Sequence, residues 1–420
     1  MGEHTVSKIS GSEEKRNYTR FLLGDILALE YMLENKMFET GIQRIGAEQE
    51  LVLLDEDWKP SMNNMALLTA INDPHYTTEI ARFNLEINLD PLVFTGDCFS
   101  QLEKDLQGLL QKGKTAASKA DTNILLTGIL PPLTKDCLHF EYMTPNPRYE
   151  ALTDVMRGQK KGDFELNIVG IDELLAKHPN ILFEACNTSF QIHLQLEPDE
   201  FVSQYNWSQL ISGPVLSLAS NSPLLMGKRL WSETRIALFQ QSVDTRSTQI
   251  LQRSKEPRVT FGKDWLYGSV ANLFKDNVSR YNFLFSSDQY EDSMQTLKDG
   301  GIPKLGALIL HNGTVYKWNR PCYGISQGKP HLRIENRYIP SGPTVEDEIA
   351  NTVFWLGLMK GMPEKYKNVQ NMMRFEDARF NFYNAARTGL DCQFNWFGKT
   401  MPASRLLERE LIPLAYEGLD

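Results

Sequence analysis

Two glutamates, Glu48 and Glu50, stand two residues apart in a run, residues 44–54, that has the composition of a β-strand. Side chains in a strand alternate between its two faces, so both carboxylates would project from the same face. Two carboxylates this close repel each other unless cations lie between them, and carboxylate oxygens are preferred ligands of Mg²⁺. The pattern therefore predicts a divalent-cation site, with the solvated face of an edge strand as the alternative.

Three further segments with the alternation of a strand carry polar residues on one face. Such a face, made of acids, a histidine and arginines, is not expected to pack against a core. It predicts the floor of a cavity that holds divalent cations and phosphate groups. An acid between two arginines is also compatible with a simple ladder of ion pairs, and this alternative stays open for the last segment. The residues are Glu86 in segment 83–89, Gln191 and His193 in segment 189–196, and Arg333, Glu335 and Arg337 in segment 331–338.

Arg148 lies in a turn-rich, polar segment, residues 133–162, which the composition predicts to be a loop over the sheet. Long loops commonly carry binding residues, so Arg148 is a candidate anion binder, with a plain surface arginine as the alternative. No G-x-x-x-x-G-K-[ST] motif occurs, and no G-x-G-x-x-G follows a predicted strand. Phosphate would therefore have to be held by metal ions and guanidinium groups.

The composition excludes several classes of protein. With 420 residues, 41% of them hydrophobic and 23% charged, the chain can bury one large core or two smaller ones. A net charge of -9 and scattered Lys and Arg residues argue against a nucleic-acid partner. No apolar run has the length of a signal peptide core or a membrane span, which predicts a cytoplasmic protein without a membrane partner. The five cysteines form no C-x-x-C pair and indicate neither a disulfide framework nor a zinc site.

Helical and strand patterns alternate along the chain and predict an α+β fold. The Asn312-Gly313 dipeptide, between residues 307–310 and 314–318, is typical of the turn of a β-hairpin. After Arg235, the polar composition predicts mostly loops up to residue 301. Helices are predicted at residues 17–39, 65–72, 102–120, 210–225, 347–359 and 368–388.

Taken in this order and spacing, the motifs resemble those of the glutamate–cysteine ligase family, within the glutamine-synthetase-like superfamily of carboxylate-amine ligases. The resemblance covers residues 41–345. It rests on Gly46-x-Glu48-x-Glu50, Leu85-Glu86-Ile87, Gln191-Ile192-His193, Ala219-Ser220-Asn221-Ser222-Pro223, the segment of Arg235, and Ile334-Glu335-x-Arg337 followed by Pro340 and Pro343-Thr344.

The fold that this resemblance implies is a curved, mostly antiparallel sheet that forms a funnel-like active site, with helices packed on its outer face. Residues 41–345 would form this catalytic sheet domain. Residues 1–40 would be an N-terminal arm and helix, and residues 346–420 a C-terminal helical segment packed on the same domain.

The implied activity is the ATP- and Mg²⁺-dependent joining of glutamate to cysteine, with Mn²⁺ as a possible substitute for Mg²⁺. Phosphorylation of the glutamate γ-carboxylate would give γ-glutamyl phosphate, which the amine then attacks, as in glutathione biosynthesis. A ligase for another acid or amine, or a metal-dependent hydrolase, stays open as an alternative. Small molecules would be the substrates, and the protein would be a monomer or a homodimer.

The resemblance also implies roles for individual residues. Arg337 and Arg235 would act in catalysis on the phosphate groups or the substrate. A second metal-binding acid is expected ahead of Leu85, and Glu79 is the nearest candidate, although it lies outside a strand of residues 82–89. The implied metal ligands are Glu48, Glu50, Glu86, His193 and Glu335, and the implied nucleotide contacts are Arg337, Arg333, Gln191 and Arg148.

Overall fold

A computed structural model of the chain describes residues 6–8, 11–160, 162–246, 256–287 and 290–420. Within these residues the strands, in chain order, are β1 (Val6–Lys8), β2 (Arg44–Leu54), β3 (Tyr76–Thr78), β4 (Asn84–Asn88), β5 (Leu92–Val93), β6 (Asn123–Leu125), β7 (Phe164–Val169), β8 (Glu173–His178), β9 (Phe190–Leu196), β10 (Leu224–Leu225), β11 (Lys228–Arg229), β12 (Val259–Thr260), β13 (Phe285–Ser287), β14 (Tyr316–Lys317), β15 (Asn319–Ser326), β16 (Lys329–Asn336), β17 (Gln393–Trp396) and β18 (Lys399–Pro402).

The same residues also form helices. A short 3₁₀ helix, Ile181–Cys186, leads into β9, and a π-helical turn, Leu407–Leu411, interrupts the C-terminal helix. The α-helices span Ser12–Glu34, Asn64–Ile71, Cys98–Ala117, Pro147–Lys160, Phe201–Ala219, Thr234–Ser242, Val270–Arg280, Ser293–Lys298, Gly306–Asn312, Val345–Lys360, Phe375–Thr388, Ala403–Leu406 and Ile412–Leu419.

The central sheet has eight strands and is antiparallel at every pairing. Its main path runs β15-β16-β9-β2-β4-β3, and β5 and β6 pair with the two ends of the long strand β2. The sheet curls into a half-barrel. The prediction of an α+β fold built on a curved, mostly antiparallel sheet is therefore confirmed.

One face of the sheet is apolar and packs against helices. Asn319 on this face of β15 donates a hydrogen bond to Gln209 of the helix Phe201–Ala219. On the same face of β2, Gln49 donates to Ser341, just ahead of the helix Val345–Lys360. The buried apolar side chains of this face are Ile45, Ala47, Leu51, Leu53, Leu85, Ile87, Phe190, Ile192, Leu194, Leu332 and Ile334.

The predicted loop over residues 133–162 is wrong in its second half, which forms the helix Pro147–Lys160. Proline at the first helical position and an asparagine before it start this helix, since Asn146 Oδ1 accepts the backbone N–H of Arg148 at 3.0 Å. The polar, turn-rich composition concealed this start signal. Arg148 thus lies in the first turn of a helix.

The predicted hairpin at Asn312-Gly313 is also wrong, because these residues end the helix Gly306–Asn312. The hairpin of this region joins β15 to β16 through Gln327 and Gly328, whose φ angles are 50° and 76°. Two successive positive φ angles are what the tight turn of a two-residue hairpin requires, and glycine adopts them without strain.

The span after Arg235 is less irregular than its composition predicts. It contains the helices Thr234–Ser242, Val270–Arg280 and Ser293–Lys298. Residues 247–255 and 288–289 of this span, like residues 1–5 of the predicted arm, lie outside the described residues. Among the residues that are described, no helix has both the length and the apolar character needed to cross a bilayer. The division into three segments at residues 40 and 345 stays a prediction.

Candidate functional site

The polar face of the central sheet collects the acids that the sequence singled out. Glu50 on β2 lies opposite Glu86 on β4, and His193 on β9 lies opposite Glu335 on β16. Residues directly opposite each other in antiparallel strands project from the same face, and Glu48 shares the face of Glu50. All five predicted metal-binding residues therefore share one face, although their role as ligands stays a prediction.

Three carboxylates on this face form a tight cluster. Oxygen atoms of Glu50, Glu79 and Glu86 all lie within 4.8 Å of one another, and in the described part of the chain no other group of three or more acids, histidines and cysteines is so close. Glu79 follows β3 directly, and the pairing of β3 with β4 brings it beside Glu86. The open candidate from the sequence thus joins two predicted ligands, whereas Glu48, His193 and Glu335 lie outside this cluster.

The electrostatics of the cluster favour an added positive charge. Burial and the negative charges of Glu48 and Glu50 raise the pKa of Glu86 to about 7. Burial and the charge of Glu86 raise the pKa of Glu79 well above its ordinary value. Carboxylates that cannot all ionise in a buried site are stabilised by a divalent cation among them.

Neutral oxygen atoms complete the surroundings of the cluster. Several buried amide oxygens of the described residues accept no hydrogen bond, and three of them belong to residues that line the cavity of Glu50 or bond to Glu50: Asn84 Oδ1, Asn187 Oδ1 and Gln191 Oε1. For two of these amides, a hydrogen bond from the nitrogen fixes which way the group is turned. Gln191 Nε2 donates to Glu50 at 3.0 Å, and Asn187 Nδ2 donates to the Glu184 carbonyl at 2.8 Å. Buried acceptors without donors, next to three carboxylates, fit the oxygen coordination that Mg²⁺ and Mn²⁺ prefer.

Glu48 and His193 form a second polar pair further along the face. His193 Nε2 lies 3.1 Å from Glu48 Oε1, while its Nδ1 is buried without a hydrogen-bond partner. Burial by itself would raise the pKa of Glu48, but the hydrogen bond and the charge of His193 outweigh it and lower this pKa. The pair is close enough to act as one polar unit at the floor of the cavity.

Glu335 lies between two guanidinium groups. Arg320 on β15 donates to both of its oxygens, at 2.8 and 2.7 Å from Nη2, and Arg337 donates to Oε1. Burial would raise the pKa of Glu335, but the charges of Arg320 and Arg337 hold it well below its ordinary value. Cys322 Sγ also lies 3.2 Å from Oε2. Glu335 thus forms ion pairs with Arg320 across the hairpin and with Arg337 of its own segment, but not with Arg333, and its role as a metal ligand stays a prediction.

The predicted arginines line two different cavities. Arg235 is buried and donates from Nε to Glu233 at 2.8 Å and from Nη2 to the Tyr338 carbonyl at 2.7 Å. It lines one cavity together with Glu50 and Arg337. Arg148 and Arg333 line a neighbouring cavity with Glu48, His193 and Glu335. Neither Arg148 nor Arg333 forms an ion pair with a carboxylate of the described residues.

Two charged residues that line these cavities, Glu184 and Arg320, escaped the sequence reasoning. Glu184 lines the cavity of Glu50 and Arg337, and burial together with the charge of Glu50 raises its pKa to about 8. The signal was a single acid inside the apolar run of the 3₁₀ helix Ile181–Cys186. Arg320 was missed because Pro321 and Gly324 obscure the alternation of β15.

The chain aligns with solved structures at low sequence identity. A glutamate–cysteine ligase from Francisella tularensis in complex with AMP aligns with a TM-score of 0.57 and 12% identity, over 91% of this chain and 79% of that one. A bifunctional glutathione synthetase from Pasteurella multocida aligns with a TM-score of 0.45 and 12% identity, over 94% of this chain and 49% of that one. The first of these alignments shows a shared fold.

A family model matches most of the chain, whereas the curated proteins do not match it. No curated protein sequence matches the chain. The family model of glutamate–cysteine ligase family 2 matches residues 44–417, which include the whole polar face and both strands of the β15–β16 hairpin. This chain belongs to glutamate–cysteine ligase family 2.

Proposed function

We propose that the protein is an ATP-dependent ligase that joins a carboxylate to an amine, and that its substrates are glutamate and cysteine. The observation that carries the proposal is the position of Arg337, which lines the same cavity as Glu50 and Glu79. A cation site and a guanidinium group in one cavity match the charges of a nucleotide triphosphate. Family membership supports the reaction class.

The acid cluster is the proposed metal site. Glu50, Glu79 and Glu86 would hold Mg²⁺ or Mn²⁺, with the amide oxygens of Asn84 and Gln191 as further candidates. When bound, the ion neutralises part of the triphosphate charge and so makes the terminal phosphorus more electrophilic. Glu48 and His193 remain candidate ligands at the adjoining part of the floor.

The chain's own cations would position the substrates. Arg337 has donors beyond the one that pairs with Glu335, and these can point at phosphate oxygens in the cavity. Arg148 and Arg333, whose charges are not paired with carboxylates among the described residues, would bind phosphate or carboxylate groups in the neighbouring cavity. Arg235, with two donor groups already engaged, would hold Glu233 and the wall of the cavity in place and add positive charge near Glu50.

The proposed reaction needs no nucleophile from the protein. A γ-carboxylate oxygen of glutamate attacks the terminal phosphorus of ATP, and ADP leaves with the electron pair of the broken P–O bond. The amine of cysteine then attacks the acyl phosphate, inorganic phosphate leaves, and the amine loses a proton. Cys322 lines the cavity of Arg148 and Arg333, but burial raises the pKa of its thiol to about 12, so a thiolate is unavailable for covalent catalysis.

ATP turnover with a panel of acids and amines tests the proposal. We expect ADP and phosphate to form only when glutamate, cysteine and Mg²⁺ or Mn²⁺ are all present, with γ-glutamylcysteine as the product, and we expect a chelator to abolish turnover. AMP and pyrophosphate as products would point to adenylation chemistry. Turnover with a different amine would keep the reaction class and replace cysteine, whereas metal-dependent hydrolysis without ATP would overturn the proposal.

A further inference from the structure

The hairpin β7–β8, residues 164–178, forms a two-stranded sheet of its own, apart from the central sheet. Its β7 edge is covered by a side chain. The backbone N–H of Asn167 donates to Gln241 Oε1 at 2.7 Å, and Gln241 Nε2 donates to the Asn167 carbonyl at 3.1 Å. The backbone groups of Asn167 therefore point away from β8.

The β8 edge is open. Leu175 lies opposite Asn167, and in an antiparallel pair both members of such a position turn their N–H and C=O groups outward. Glu173 and Lys177, two residues to either side, have the same orientation. Within the described residues, no strand other than β7 pairs with β8. Three successive outward positions thus offer free donors and acceptors to another strand.

The centre of this edge is apolar and exposed to solvent. Leu175 is 66% exposed at its centre, and Val169 at the end of β7 and Ile171 in the connection between the two strands are 62% and 70% exposed. Charged side chains on a solvent-facing edge commonly discourage pairing with other chains. Here the residues that flank Leu175 on the same face are Glu173 and Lys177, which have opposite charges. This pattern is self-complementary when the strand is turned around.

We propose that β8 pairs antiparallel with β8 of a second copy of this chain, with the two-fold axis at Leu175. In that register Glu173 lies opposite the partner subunit's Lys177, and Lys177 lies opposite the partner subunit's Glu173. The outward N–H and C=O groups of Glu173, Leu175 and Lys177 all find partners. The two hairpins join into a four-stranded sheet whose exposed leucines meet at the axis.

The existing contact of Lys177 does not prevent this pairing. Lys177 Nζ lies 2.8 Å from Glu165 within the hairpin, but both side chains are exposed. Exposed ion pairs contribute little to stability, so Lys177 can also face a carboxylate across the new strand junction. A peptide from another protein could pair with the same edge, but only a second copy of the chain is certain to supply the reversed order of charges.

Sedimentation velocity over a range of protein concentrations tests the proposal. We expect the wild-type protein to form dimers, and Lys177→Glu or Glu173→Lys to weaken dimerisation by about tenfold or more, because each creates two like-charge pairs across the axis. Lys399→Glu, the same change on the exposed hairpin β17–β18, is the matched control and should not alter the dissociation constant.

Mixing the two variants separates the proposed register from nonspecific effects. One copy then carries Lys at positions 173 and 177 and the other carries Glu at both, so a heterodimer regains opposite charges at each contact and should form at least as well as the wild-type dimer. A wild-type protein that remains monomeric at about 100 µM overturns the proposal. A dimer that withstands both single reversals, or a mixture that does not associate, overturns the register. Melting temperature and ATP turnover of each variant confirm that the chain is folded.

Discussion

Replacement of Glu86 by glutamine is expected to stabilise the metal-free protein at pH 8. The pKa of Glu86 is raised from its ordinary 4.5 to about 7, chiefly by burial and then by the charges of Glu48 and Glu50. At 1.36 kcal/mol for each pH unit, ionising this group in the folded protein costs about 3 kcal/mol. Glutamine avoids that cost and can still accept the hydrogen bond from Asn88 Nδ2, which measures 2.8 Å. About 3 kcal/mol is therefore the upper limit of the gain.

The sign of the effect depends on pH. Because the folded protein holds the proton of Glu86 more tightly than the unfolded chain, the associated stability is complete below pH 4.5 and is lost as pH rises through about 7. Glu86→Gln should consequently have little effect on the free energy of unfolding near pH 4 and should raise it at pH 8. The same change should weaken cation binding and turnover, since it removes one carboxylate of the cluster.

Urea denaturation in the presence of a chelator, at pH 4 and pH 8, measures the stability change, and a Mn²⁺ titration measures cation affinity. Glu417→Gln, which alters an exposed glutamate in the C-terminal helix, is the control and should change neither quantity. Equal or lower stability of Glu86→Gln at pH 8 would refute the argument that burial and the charges of Glu48 and Glu50 make the ionised carboxylate of Glu86 costly. Unchanged Mn²⁺ affinity would remove Glu86 from the metal site.

Three other substitutions test the remaining parts of the site. Arg337→Lys should lower kcat by about 10²-fold with a smaller effect on ATP affinity, since lysine loses the forked donor geometry. If Arg337→Lys instead has the same kcat as Arg333→Lys and only a lower melting temperature, then Arg337 has a structural role. Arg320→Met should lower the free energy of unfolding by about 3 kcal/mol, because it removes the hydrogen bonds that Nε and Nη2 donate to buried Glu335, and a loss below about 1 kcal/mol would contradict this. The pKa of Glu184 is raised to about 8, so the free energy of unfolding of the metal-free protein should fall as pH rises toward 9. The melting temperature of Glu184→Gln should therefore depend less on pH than that of the wild type.

The alternation of polar and apolar residues was enough to locate the floor of the site. A period of two is a local property of an extended chain, so the sequence alone determined that Glu48 and Glu50 share a face, and that Gln191 and His193 do. It also predicted an apolar opposite face and, with the family resemblance, the curved antiparallel sheet. The shared faces depend only on neighbouring residues of one strand, whereas the antiparallel pairing and the curvature of the sheet were expected only from the family resemblance.

Only the tertiary structure decided which of these residues meet. Strand register sets Glu50 against Glu86, and the position of β3 carries Glu79 into the same cluster from outside any alternating strand. Glu184 enters the cavity from a 3₁₀ helix, and Arg320 reaches Glu335 only because a turn at two positive φ angles folds β15 onto β16. Contacts of this kind join residues far apart in the chain, and no local period encodes them. The pKa values of the acids follow in turn from burial, which the completed core creates.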